Sequence, residues 1–261
     1  YIQAALRYED YGGNVGASVD PKVAMNWRIS EEFSIRASAS TTFRGPPQSI
    51  LAGTGTALSY VAPTLAFKAI DTVGNPNLSS ETAVSTNLGA IYQNESFYVS
   101  LDWWAFTFED SFQTEGFNSI LTAYSANSCL GANGTPTDSA VCNELRTHIF
   151  PVAAHTNLAA TERIVVNWIN GQEINTSGLD LSARYDFVDA MPGILSIGTD
   201  GSYVLEYNRD DQLDISGDIV LASGGDLVGQ LNYNAGPSFT SKPQLQISSY
   251  VQYSYEAHFA N

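Results

Sequence analysis

Between Phe33 and Arg44 the chain reads FSIRASASTTFR and alternates without a break. Successive side chains of an extended strand point to opposite faces, so Phe33, Ile35, Ala37, Ala39, Thr41 and Phe43 share one side. Ser34, Arg36, Ser38, Ser40, Thr42 and Arg44 share the other. One face is apolar and the other is wet. The apolar face carries an aromatic ring at each end, and ten residue steps at roughly 3.3 Å, tilted about 45°, rise near 25 Å. That height is the thickness of the apolar band that a tilted strand crosses in a bilayer.

A soluble sheet with one buried face alternates too, so recurrence decides. Leu179, Leu181, Ala183, Tyr185 and Phe187 oppose Asp180, Ser182, Arg184 and Asp186; Leu195, Ile197, Tyr203, Leu205 and Tyr207 oppose Ser196, Asp200, Ser202 and Glu206. Leu245, Ile247, Val251, Tyr253 and Tyr255 oppose Gln244, Gln246, Ser248, Gln252 and Ser254. Val23, Met25, Trp27 and Ile29 oppose Lys22, Asn26 and Arg28; Ile2, Leu6 and Tyr8 oppose Gln3, Arg7 and Glu9; Thr82, Val84, Leu88 and Tyr92 oppose Glu81, Ser85 and Asn87. Arg, Asp and Glu on the second face argue against a dry core there, because unpaired buried charge is costly. A water-filled lumen accommodates them. The expected fold is therefore all-β: an antiparallel transmembrane β-barrel, incomplete, with about eight to nine strands of a larger barrel and long extracellular loops.

Charged residues make up 15% of the 261, while Tyr (14) and Phe (12) are plentiful. A net charge of −16 argues against a nucleic-acid partner, since phosphate binding needs clustered Lys and Arg. No run of eighteen apolar residues occurs, which excludes a transmembrane helix, and no signal peptide is visible. The chain begins with Tyr1 in mid-strand, and His258 to Asn261 reads as the start of another strand. A barrel must close in lipid, so residues 1–261 are expected to be one part of a longer barrel whose other strands lie outside them. The only cysteines, Cys129 and Cys142, lie in the loop-like stretch CLGANGTPTDSAVC, which suggests a local disulfide in an exported protein. The rival is a metal site, but His148 and His155 nearby complete no recognised ligand spacing.

Connectors come in two kinds, alternately. Short ones fall at 30–32, 93–96, 188–193 and 256–257; longer ones fall at about 45–77, 113–161 and 208–242, with a modest one at 10–20. Short turns on one rim and long loops on the other is the habit of outer-membrane barrels. Within 97–112 the apolar phase runs Phe97, Val99, Leu101, Trp103 and then jumps to Phe106 and Phe108, which predicts a bulge. Residues 164–185 read as one long strand whose phase shifts at Gly178.

Four stretches resemble, in order, the barrel of TonB-dependent outer-membrane receptors. DPKVAMNWRISEEFSIRASASTTFRGPP (20–47) is similar to the family's strand, turn and strand segment ending in Phe-Arg-Ala-Pro, with Gly45 where Ala is usual. GNPNLSSETAVSTNLGAIY (74–92) resembles its Gly-Asn-Pro-x-Leu-x-Pro-Glu element through Asn75, Pro76, Leu78 and Glu81, with Ser80 in place of Pro. LDWWAFTFEDSF (101–112) and INTSGLDLSARYDF (174–187) resemble later strands. The resemblance implies the C-terminal part of a ligand-gated barrel of roughly twenty-two strands, with a plug domain and a TonB-engaging box upstream of Tyr1. It implies TonB-coupled import of a scarce, bulky ligand: a ferric siderophore, a corrinoid or an oligosaccharide. The implied partners are outer-membrane lipid, the plug, TonB and that small molecule or metal chelate.

On that reading the ligand-binding candidates are Tyr60 and Phe67 in the first long loop, Phe117 and Tyr124 in the second, and Tyr233 and Phe239 in the third. Trp104, Phe106 and Phe108, late on an upward strand, would line the mouth. The bland alternative for each ring is loop packing or a girdle position. Arg7, Arg28, Arg36, Arg44, Asp102, Asp180, Arg184, Asp186 and Asp200 are expected to face the lumen, either pairing with one another along the wall or contacting the plug. Asp210, Asp211, Asp214 and Asp218 offer hard oxygen ligands for calcium, but the segment lacks the Gly and terminal Glu of an EF-hand loop, so no metal or cofactor is assigned. There is no GxSxG, HExxH, P-loop or GxGxxG, and His148, His155 and His258 are scattered, so no enzyme is expected. The competing classes are a passive porin and a soluble secreted β protein that binds or cleaves sugars.

Overall fold

The computed structural model describes residues 1–13, 15–131, 135–188, 192–213, 220–222, 224–229, 243–255 and 258–260. In chain order it forms β1 (Ile2–Asp10), β2 (Ala17–Arg28), β3 (Phe33–Arg44), α1 (Gln48–Ala52), β4 (Thr54–Val61), β5 (Ala66–Val73), β6 (Glu81–Gln93) and β7 (Phe97–Glu109). There follow β8 (Phe112–Thr114), α2 (Phe117–Ala126), α3 (Ala140–Arg146), β9 (Ile149–Phe150), β10 (Arg163–Asn170), β11 (Ile174–Phe187) and β12 (Ile194–Arg209). Short strands β13 (Gln212–Leu213), β14 (Val220–Ala222) and β15 (Gly225–Asp226) precede β16 (Leu245–Tyr255) and β17 (His258–Ala260).

The principal sheet runs β1-β2-β3-β6-β7-β11-β12-β16-β17, every neighbour antiparallel. Because directly opposed residues share a face, the registers define two surfaces across all these strands. One carries Ile2, Leu6, Val23, Trp27, Leu88, Leu101, Leu181, Ile197, Ile247 and Val251, all exposed, Ile2 to 73% and Ile247 to 66%. A continuous apolar face left bare in this way is unaffordable in water and expected in hydrocarbon. At the short-turn rim, rings gather on the same face: Tyr92 to Phe97 at 6.2 Å, Phe97 to Tyr185 at 6.4 Å, and Tyr185 to Phe187 at 4.6 Å. Trp103, Leu179, Tyr203 and Leu245 lie side by side toward the other rim. Rings thus edge the short-turn end of the apolar face as an aromatic girdle does, and Trp103 and Tyr203 mark a second ring level farther along the strands.

Among the described residues the principal sheet buries no large hydrophobic side chain of its own. The buried hydrophobic cluster, from Val61 and Ile70 through Ile120, Leu121, Tyr124 and Leu145 to Ile164 and Val166, belongs wholly to two long connections, 45–80 and 110–173. These are not open loops. They fold jointly into a second sheet, β4-β5-β10-β8, with β9 on β10, and the parallel β5–β10 pairing joins one connection to the other. The helices α2 and α3 cover one face of it, and Cys129 and Cys142 are joined there by a disulfide with Cα atoms 5.3 Å apart.

Two expectations about strand phase need correction. No bulge interrupts β7: its pairing with β6 and with β11 is continuous, so Trp104, Phe106 and Phe108 stay in phase with Asp102 on the polar side. Nor are residues 164–185 one strand, since β10 belongs to the loop sheet and β11 to the principal sheet. A register shift does occur at Ser177/Gly178, but the extra residue is Leu205 on β12: Ser177 opposes Glu206 while Gly178 opposes Val204.

Candidate functional site

The inner face starts, at bilayer depth, as a polar wall. Arg36 on β3 reaches over β6 to Asp102 on β7, Nε donating to Oδ1 at 2.7 Å and Nη2 to Oδ2 at 2.5 Å. The pair crosses directly above Gly89, where a Cβ would stand 2.0 Å from Asp102 Oδ1. Ser182 donates to Asp200 at 2.6 Å, Ser202 to Asp180 at 2.7 Å, and Ser196 to Asp186 at 2.6 Å. Arg36, Asn87, Asp102, Asp180, Asp200 and Gln246 line an open groove of about 620 Å³. Arg7 pairs with Glu9, Arg184 with Asp186 at 3.3 Å, and Arg44 with Glu81 at 2.6 Å. Arg28, opposite Ser34, shares this face. The registers thus put all nine predicted lumen residues on one surface, and six of them touch one another or a neighbouring carboxylate.

Above the girdle of Trp103 and Tyr203 the polarity of the sheet reverses. The inner face of β7 presents Trp104, Phe106 and Phe108, with centroids 5.8 and 5.9 Å apart in sequence. The Trp104 indole lies against Gly178, where a Cβ would meet Trp104 Cζ2 at 2.4 Å, so only glycine leaves room for it. The outer face at this level mixes polar pairs with apolar side chains: Thr107 donates to Asn175 at 2.6 Å and Asn208 donates to Glu206 at 2.5 Å, while Val84 and Leu205 are exposed beside them. The polar pairs on the outer face fit a stretch near the edge of the hydrocarbon, and the inner face there forms an apolar vestibule.

The Leu205 bulge changes which β12 side chains reach that vestibule. A bulge re-aims the residues beyond it. Tyr207 therefore opposes Thr176 and Arg209 opposes Ile174, both on the inner face, while Glu206 and Asn208 turn outward. Plain alternation had assigned Tyr207 to the apolar face and Glu206 to the lumen; the structure reverses both. Tyr207 and Arg209 are functional candidates that periodicity missed, and the phase break at Gly178 was the only sequence signal pointing to them.

The loop candidates divide. Tyr124 is fully buried, its hydroxyl donating to His155 O at 2.9 Å, and is a core residue and not a ligand contact. Phe117 packs against the same core. Tyr60 and Phe67 remain exposed and contact each other at 5.6 Å. Tyr233, Phe239, Asp214 and Asp218 lie outside the described residues. Among the described residues no group of three His, Cys, Asp or Glu converges as a metal site requires.

The loop body is fixed to the wall by polar contacts at the strand ends. Glu81 Oε2, paired to Arg44, also accepts from Phe112 N at 3.2 Å, and the Arg44 guanidinium lies 5.3 Å from the Phe112 ring centre. Asn170 Nδ2 donates to Ser79 O and Asp110 O, and its Oδ1 accepts from Ser79 N at 2.9 Å. Asn75 Nδ2 donates to Trp168 O at 2.9 Å.

A family model described as "TonB dependent receptor-like, beta-barrel" matches residues 1–258. Among curated proteins none matches the sequence. Solved structures are similar in fold. A ferric enterobactin receptor mutant of Pseudomonas aeruginosa in complex with enterobactin aligns with a TM-score of 0.56 at 14% identity, covering 97% of this chain and 28% of the receptor. A siderophore receptor of Acinetobacter baumannii aligns with a TM-score of 0.54 at 16% identity, covering 98% of this chain and 29% of the receptor. The chain thus spans under a third of the receptors it matches.

Proposed function

The chain belongs to the TonB-dependent receptor β-barrel family, and on that premise we propose that it forms wall and extracellular loops of an active importer in a Gram-negative outer membrane. Its cargo is a scarce, bulky small molecule of the ferric-siderophore class. The carrying observation is the reversal of polarity on the inner wall: charged and hydroxyl groups at bilayer depth, then Trp104, Phe106 and Phe108 at the mouth. A polar wall suits a hydrated or protein-filled lumen, and the aromatic strip suits capture of a ligand face. The names of the similar solved receptors, which are for siderophores, point the same way.

In this reading Trp104, Phe106 and Phe108 contact ligand, and exposed Tyr60 and Phe67 stand among the capture residues of the loop body. Arg7, Arg28, Arg36, Arg44, Asp102, Asp180, Arg184, Asp186 and Asp200 face a plug domain of the full-length receptor. Wall carboxylates such as Asp180 and Asp200, each accepting from a serine hydroxyl and from no cation among the described residues, are suited to accept basic plug side chains. The protein's contribution is binding and gating, with no covalent step.

The test is uptake of radioactive iron, presented on a panel of ferric chelates, by Gram-negative cells carrying the full-length receptor with and without functional TonB. TonB-dependent accumulation of at least one chelate is expected. Accumulation that persists without TonB would identify a passive pore and refute the reading.

A further inference from the structure

We propose that the uncovered face of the loop sheet carries a second, separate site: an open pocket between Phe150 and the Asp71–Arg163 pair that takes a neutral sugar ring. Only the outward facing of the long connections is taken from the importer reading.

The pocket follows from strand phase. Ile70, Ile149, Ile164 and Val166 point to the helix side of the loop sheet and are buried there. Their chain neighbours point the other way, where Ala69 opposes Arg163, Asp71 opposes Val165, and Arg163 opposes Phe150. These five residues, with Pro151 and Glu162 from the strand ends, line a cavity of about 420 Å³. That volume lies within the range of small-molecule sites, about 300–1,000 Å³. The face is bare, since Leu58, opposite Ala69, is 72% exposed. None of the residues assigned above to capture of the chelate lines the cavity.

The polar groups around it are of both signs and only partly engaged. Arg163 Nε stands 3.2 Å from Asp71 Oδ2, and the Arg163 side chain is 57% exposed, its terminal nitrogens without a hydrogen bond among the described residues. Asp71 is fixed from its other side by Thr56, whose hydroxyl donates to Oδ1 at 2.6 Å. Glu162 is exposed, and its carboxylate has neither a hydrogen bond nor an ion pair among the described residues. The Phe150 ring is 41% exposed.

This mixture of charges selects the ligand. An anion drawn to Arg163 meets Glu162, and a cation drawn to Glu162 meets Arg163, so each carries a like-charge penalty. A hydroxyl both donates and accepts, so a neutral polyol satisfies carboxylate and guanidinium together and leaves the ion pair in place. A pyranose adds a C–H face, which covers the Phe150 ring and removes apolar surface from water. The ring belongs either to a glycan of the cell's own surface or to a soluble oligosaccharide, and both present the same chemistry.

The experiment is saturation-transfer NMR on purified full-length receptor, with the methyl glycosides of glucose, galactose and mannose and with their uronate and amino-sugar counterparts. At least one neutral glycoside is expected to bind, and more tightly than both of its charged counterparts. Phe150→Ala should weaken it by about tenfold, the loss of the stacked face. Glu162→Gln should bring the uronate up toward the neutral sugar, and Arg163→Gln should do the same for the amino sugar, opposite shifts that a loss of folding does not produce. Displacement of the bound glycoside by delipidated surface glycan from the same cells assigns the sugar to the cell surface, and failure to displace it assigns the sugar to a soluble source. Binding of no neutral glycoside, tighter binding of either charged series, or an unchanged affinity in Phe150→Ala overturns the inference and leaves TonB-dependent chelate uptake standing. Absence of that uptake with sugar binding intact brings down the importer reading alone.

Discussion

Replacing Gly89 by Ala tests the polar wall at its tightest point. The new Cβ would stand 2.0 Å from Asp102 Oδ1 and 3.0 Å from Arg36 Nε, so the carboxylate must move by roughly 1 Å to restore van der Waals separation. The Asp102 side chain is only 8% exposed and cannot swing into bulk water, and the displacement breaks the 2.7 Å bond from Arg36 Nε. Hydrogen bonds to charged groups contribute about 1.5–3 kcal/mol each. The Arg36 side chain is 45% exposed, so water recovers part of the loss and the pair together counts for about 2 kcal/mol. Removing a strand glycine returns about 0.5–1 kcal/mol, leaving a net destabilisation of about 1–2 kcal/mol. Gly201→Ala on the outer face is the control, because its Cβ would meet nothing nearer than 3.6 Å and the change should be neutral or slightly stabilising. Urea unfolding of the full-length receptor in lipid, followed by tryptophan fluorescence, measures both. In an Asp102→Ala background Gly89→Ala should become harmless. Equal stability of Gly89→Ala and parent, or the same loss in the Asp102→Ala background, would refute the crossing ion pair as the reason for glycine.

Facing is tested by charge: Leu181→Arg should cost about 2–4 kcal/mol of assembly near the bilayer midplane, and Ser182→Arg far less, read as the folded fraction in outer-membrane preparations. Equal damage would contradict the assigned faces. Converting Cys129 and Cys142 together to Ser releases a short loop and should destabilise the extracellular body by about 3 kcal/mol, seen as faster protease cleavage within 110–173 while the barrel band stays intact. Gly178→Val should displace the Trp104 indole, shifting tryptophan emission and weakening ligand binding without changing the amount of receptor in the membrane. Unaltered emission would show that the indole does not lie on that glycine.

Alternation made the sheet legible, since the registers of Phe33–Arg44, Leu179–Phe187 and Leu245–Tyr255 follow the faces read from their spelling. It failed where the chain leaves the hydrocarbon. Trp104, Phe106 and Phe108 looked like an apolar face jumping phase, but a strand above the membrane no longer needs grease outside, so its rings turn inward with no bulge. Tyr207 and Arg209 were illegible for the converse reason: one extra residue on β12 inverts every side chain after it, and that count depends on its partner strand. The loop body was hidden because its core is assembled by a parallel pairing between residues 66–73 and 163–170, nearly a hundred positions apart, and Tyr124 on a short helix carries no mark distinguishing a buried ring from a capturing one.

The β5–β10 ladder has an evolutionary corollary. Because Ile70 from one excursion and Ile164 from the other share a single oily centre, neither excursion can be transplanted, lengthened or lost by itself without baring half of that centre to water. Selection must therefore treat the two as one heritable cassette, and a chimaera that borrows only one of them from another barrel should misfold.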